Sequence, residues 1–132
     1  MRRKFLLQIA LPLLGAAFGW AESVEWTRAH ELYLRTDYRE SLAVLLPLAN
    51  RDAAALQLMG QDYFMLGEYR KASEFLEQAA ARDSANAECA LWLGRAYGRR
   101  AETSGPFTAP GYASKARQMF ERAGALDPAN RD

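Results

Sequence analysis

Side chains able to do chemistry are few and scattered in this chain. His30 is the only histidine and Cys89 the only cysteine among 132 residues. A histidine-based metal cluster therefore cannot be assembled, and Cys89 stands far from His30 in the chain. No serine or cysteine nucleophile accompanies His30, so a solvated or hydrogen-bonded histidine is favoured over a general base. Cys89 falls within a helical pattern, where an unpaired thiol reads as a small buried apolar residue rather than half of an intermolecular disulfide. Gly-rich phosphate loops are missing, because Gly60, Gly94 and Gly98 sit inside helical patterns and read as helix contacts. The sequence thus offers no catalytic set, and neither metal nor cofactor is expected.

The first 21 residues stand apart from the rest. Arg2, Arg3 and Lys4 give a basic start, residues 5–18 form a largely apolar run, and Gly19, Trp20 and Ala21 bring small residues to the cleavage position. This is the pattern of a secretory signal peptide over residues 1–21. The run is shorter than the roughly 20 residues of a membrane-spanning helix, and Pro12 and Gly15 interrupt it. The expectation is a periplasmic or secreted protein; the alternative is an inner-membrane anchor left uncleaved. Arg2 and Arg3 also match part of a twin-arginine signal. Removing the segment takes away three of the 17 basic residues and none of the 16 acidic ones, which leaves a net charge of −2. With charges mixed along each helix, no nucleic-acid footprint is present. About 111 residues remain, enough for one modest domain.

The elements that must position any site are organised around residues 53–86, AAALQLMGQDYFMLGEYRKASEFLEQAAARDSAN. Gly60 and Ala72 are small where two antiparallel helices must approach, Leu56, Met59, Tyr63 and Leu76 fill the seam between them, and Gly67 supplies the turn. ALWLGRAYG at 90–98 repeats the first-helix pattern through Leu93, Gly94 and Tyr97. KARQMFERAGALDPAN at 115–130 repeats the second-helix pattern through Ala116, Phe120, Ala123 and Pro128. The endings DSAN and DPAN correspond residue for residue, apart from Ser84 and Pro128.

This 34-residue pattern resembles the tetratricopeptide repeat, with Leu56, Met59, Gly60, Tyr63, Ala72, Leu76 and Ala79 in its signature slots and Ser84 where proline is usual. The resemblance implies an all-α, right-handed α-solenoid of about three antiparallel helix hairpins, since one hairpin cannot bury both of its apolar faces. Residues 22–52 form a shortened first repeat, in which Tyr38 aligns with Tyr69, Ala29 stands for the glycine and Ser41 for the alanine. Pro47 should end or kink its second helix near Leu46. The second repeat is 53–86. The third, 87–130, carries ten extra residues between its helices, and the segment 102–111, with Gly105, Pro106, Pro110 and Gly111, is expected to be a loop outside helix and strand. Such a loop is either a recognition element presenting Phe107 or a tolerated insertion with Phe107 tucked against a helix. This third segment is similar to long-insert repeats of secreted bacterial tetratricopeptide proteins.

The resemblance also assigns a concave wall to the first helices of the repeats. Repeat one contributes Trp26, His30 and Tyr33; repeat two Gln57, Gln61, Phe64 and Met65; repeat three Leu91, Trp92, Arg95 and Arg99. Phe107 and Tyr112 join this partner-binding set from the inserted segment, and Arg100 reads as groove or solvent-facing. Amides pair with a peptide backbone, arginines with carboxylates and aromatics with apolar side chains, so the wall suits an extended peptide. The aromatics serve equally well as inter-helix core. The carboxylate clamp of one family subtype, built on lysine and asparagine, is not matched by Gln57, Gln61, Leu91 and Arg95. The implied function is an exported scaffold for protein–protein interaction in the bacterial cell envelope. The alternative is a structural subunit that self-associates, as a homodimer, or caps onto an envelope complex through the third repeat, since DPAN normally launches a further helix and only Arg131 and Asp132 follow it.

Overall fold

The computed structural model describes residues 23–130; the expected signal peptide at 1–21 lies outside the described residues. Six α-helices follow one another among them: α1 Val24–Leu34, α2 Tyr38–Leu45, α3 Ala53–Met65, α4 Tyr69–Arg82, α5 Ala87–Thr103 and α6 Ala109–Leu126. Short 3₁₀ turns cover Leu46–Leu48 and Pro128–Asn130, and no strand occurs among the described residues. The helices pair as hairpins α1/α2, α3/α4 and α5/α6. Each helix packs on its neighbour in the chain, and α3 also touches α1 and α5, so contacts stay within or between adjacent hairpins.

Local chemistry sets the boundaries. Each first helix opens on a side chain that takes up an otherwise orphaned N–H: Ser23 Oγ accepts from Trp26 N at 3.0 Å, Asp52 Oδ1 from Ala54 N at 2.9 Å, and Asn86 Oδ1 from Cys89 N at 3.0 Å. None of the second helices has such a cap, because each starts from a tight turn. In hairpin two that turn runs through Gly67 at φ 78°, with Glu68 N bonded to Tyr63 O and Gly67 N to Phe64 O, both at 2.9 Å. Hairpin one closes with the same pair of bonds, yet Thr36 takes the glycine's place at φ 67°. Pro47 ends the α-helical ladder after Leu45, as expected, and the chain continues as a 3₁₀ turn.

The glycine crossings are tight. A Cβ on Gly60 would stand 2.5 Å from Leu76 Cγ, and one on Gly94 2.8 Å from the Phe120 ring. Gly98 differs from expectation: nothing lies within 4 Å of a Cβ there, so it is not a helix contact. Hairpins two and three share one apolar core of Leu56, Ala72, Leu76, Ala79, Cys89, Leu93, Ala96, Tyr97 and Ala116. Each fully buried leucine in it contributes roughly 1.5–3 kcal/mol. Cys89 is 1% exposed and its thiol, pushed up to about 11 by burial, stays protonated, which leaves it unavailable for a disulfide.

The insertion at 102–111 is a loop only in its middle: 104–108 lie outside helix, as expected, whereas 102–103 end α5 and 109–111 begin α6. Hairpin three has ten residues more than hairpin two: four lengthen α5 to 17, four lengthen α6 to 18, and two lengthen the connection, leaving only 104–108 outside helix. The reason is positional. Pro110 falls in the first turn of α6, where the missing N–H would have no partner anyway and the fixed φ suits a helix.

Candidate functional site

The first-helix wall begins with a run of stacked rings on α1. Trp26 and His30 lie 4.8 Å apart at 15°, and His30 and Tyr33 6.3 Å apart at 10°, which follows from their i, i+4, i+7 spacing on one face. Trp26 Nε1–H donates to Ala54 O at 3.2 Å and fixes the stack against the start of α3. Beside it, Trp26, His30, Ala54, Gln57, Leu58, Gln61, Asn86 and Glu88 line a cleft of about 240 Å³.

Within the cleft the two amides have different duties. Gln57 Oε1 accepts from Asn86 Nδ2 at 2.9 Å, and that same Asn86 caps α5, so Gln57 serves to seat hairpin three. Gln61 has no hydrogen-bond partner among the described residues, although it is only 7% exposed. Of the deeply buried side-chain polar atoms described, only Asp62 Oδ1 lacks a partner, so the Gln61 amide keeps its access to water through the cleft. It is the wall's free donor and acceptor.

The remaining predicted residues do not converge on this cleft. Phe64 meets Trp92 edge-on at 5.5 Å and Tyr69 at 5.4 Å, which makes it half-buried packing between α3, α4 and α5. Trp92, with Arg95 4.9 Å above its ring, lines a second cleft of about 660 Å³ together with Glu88, Leu91, Phe120, Ala123, Gly124 and Asp127. Arg99 lies over Tyr69 at 4.9 Å, donates to its hydroxyl at 3.1 Å and pairs with Glu102, so its charge is already engaged. Met65 is exposed at the end of α3.

The inserted segment divides as well. Phe107 is 99% exposed, which excludes its tucking against a helix. Tyr112 is half-buried: it stacks on Tyr97 at 6.3 Å and lies 4.2 Å beneath Arg100. Arg100 donates to the Tyr112 hydroxyl and, at 2.9 Å, to Ser73 Oγ, so it braces hairpins two and three and is neither a groove nor a free surface residue.

The sequence reading missed Asp62. It is fully buried where α3 meets α2, accepts from Ser41 Oγ at 2.7 Å through Oδ2, and leaves Oδ1 without a partner. Burial pushes its carboxyl up to about 7, against the opposing pull of the Ser41 bond. One signal was present: hairpin three has the apolar Ala96, 34 residues on, in the same slot.

No family model and no curated protein matches the chain. Among solved structures it is similar to the crystal structure of a thermophilic TPR protein from Thermus thermophilus, with a TM-score of 0.72 and 21% identity over 82% of this chain. The chain spans 58% of that protein's length. Together with the three stacked hairpins and the glycine crossings at Gly60 and Gly94, this likeness shows that the chain has the tetratricopeptide-repeat fold.

Proposed function

We propose that this protein is an exported scaffold of the bacterial cell envelope that binds an extended segment of a partner protein along its first-helix wall. The observation that carries the reading is the cleft where the Trp26–His30–Tyr33 stack stands beside the unpaired Gln61 amide. An extended peptide presents unpaired backbone amides and turns every second side chain to the same face; the Gln61 amide pairs with the first, and the rings receive apolar members of the second. Binding by shape and hydrogen bonding requires no reacting group. Phe107, exposed at the hairpin-three turn, adds a second apolar contact for a large partner.

Crosslinking of the exported protein in its native envelope, followed by mass spectrometry, identifies the segment. Its affinity is then measured by calorimetry for the parent and for His30→Ala with Gln61→Leu. The double variant should lose at least about tenfold in affinity with its circular dichroism unchanged. Equal affinity of variant and parent removes the cleft from the binding site.

A further inference from the structure

The second cleft has a charge order that is complementary to itself. Glu88, Leu91, Trp92 and Arg95 form an i, i+3, i+4, i+7 stripe on α5, and all four line the cleft. Phe120, 43% exposed, Ala123 and Gly124 of α6 form its other wall, and Asp127 lies at its Glu88 end. The cleft is therefore acidic at one end, apolar at the centre and basic at the other. Among the described residues Glu88, Asp127 and Arg95 have no ion-pair partner in the monomer, the described ion pairs being Arg70–Glu74, Lys71–Glu68 and Arg99–Glu102. The corresponding face of hairpin two, between α3 and α4, is where α5 docks, so the cleft has the form of a seat for a helix.

We propose that this face binds a second copy of the same chain, α5 against α5′ in antiparallel orientation, about a two-fold axis between Leu91 and Trp92. That axis exchanges residue 88 with 95 and residue 91 with 92. Each Arg95 then meets the partner copy's acidic end, Glu88 and Asp127, and each Leu91 packs on the opposite Trp92. A two-fold contact demands this property, a patch complementary to itself, and the order acid, leucine, tryptophan, base along one helix face supplies it. The patch is small, which sets the association at the weak end of specific interfaces, with a dissociation constant on the order of micromolar. This face shares only Glu88 with the peptide cleft, to which Leu91, Trp92, Arg95 and Phe120 do not belong, so Arg95→Glu tests it without touching that cleft.

Sedimentation equilibrium of the purified protein tests it, with circular dichroism as the check on folding. The parent should dimerise in the micromolar range. Arg95→Glu and Glu88→Arg, each at an exposed position, should weaken the dimer at least about tenfold by placing like charges together. The double variant Glu88→Arg with Arg95→Glu restores opposite charges between positions 88 and 95 across the axis, with only Asp127 left facing a like charge, and should recover most of the lost affinity. A monomer at about 100 µM, open-ended polymers in place of dimers, or a double variant no better than the single ones would overturn the proposal.

Discussion

Hairpins one and two fill the same slots 31 residues apart, yet different interactions hold them. Where hairpin two has Gly60, Gly67, Ala72 and Leu76, hairpin one has Ala29, Thr36, Ser41 and Leu45. All but the two turn residues are buried. Hairpin two uses its glycine for a crossing too close for any Cβ and its alanine for a dry contact, and it shares an apolar core with hairpin three. Hairpin one has a second helix of only eight residues, a strained turn residue, and a seam onto α3 that contains a carboxyl with one oxygen unpaired. The contrast teaches that one architecture tolerates both solutions, while the stability of hairpin one is made dependent on pH.

The largest effect should come from Asp62. Its folded pKa, about 7, stands above the ordinary value of 3.8, so the native state holds a proton that the unfolded chain releases. The associated stability is complete below about pH 4 and is lost as pH rises through about 7, by up to about 4 kcal/mol. Thermal melts of the parent should fall across that window, with hairpin one loosening first, whereas Asp62→Asn should give melts nearly independent of pH there. A parent with flat melts would show that water reaches Oδ1.

Gly60→Ala should cost on the order of 1–3 kcal/mol through overpacking against Leu76, despite alanine's better helix propensity. Urea denaturation measures it, and the contrast with hairpin one, which buries Ala29 in the same slot, fails if the variant is as stable as the parent. Smallest is Thr36→Gly, which removes a side chain from left-handed backbone and should stabilise hairpin one by about 1 kcal/mol. Hydrogen exchange in α1 and α2 should slow accordingly; unchanged exchange would mean that hairpin one is limited by its seam and not by its turn.

Much of the fold was legible because helix crossings leave local marks. A glycine at 60, an alanine at 72 and a left-handed turn at 67 are spaced by the geometry of a single hairpin, and the same small residues recur at Gly94 and Ala116. The inserted segment was read correctly at Gly105 and Pro106 but too broadly at its ends, since proline and glycine were counted as breakers without regard to where in a helix they fall; Pro110 and Gly111 lie in the first turn of α6. The site was legible only in part. Trp26, His30 and Tyr33 lie on one helix, so their stacking follows from spacing alone, but the grouping of Trp92 and Arg95 with Phe120, and of Gln61 with His30, depends on how separate helices are offset.

The chain's own order of residues determined that hairpins form and stack, because small side chains at helical spacing and capping residues at helix starts act over a few turns of one segment. Tertiary structure alone decided which of the wall's residues share a cleft, which arginines are already engaged, and that Asp62 is sealed from water. Those outcomes are set by distances between helices remote in sequence, and a carboxyl's proton affinity depends on the solvent that its neighbours exclude.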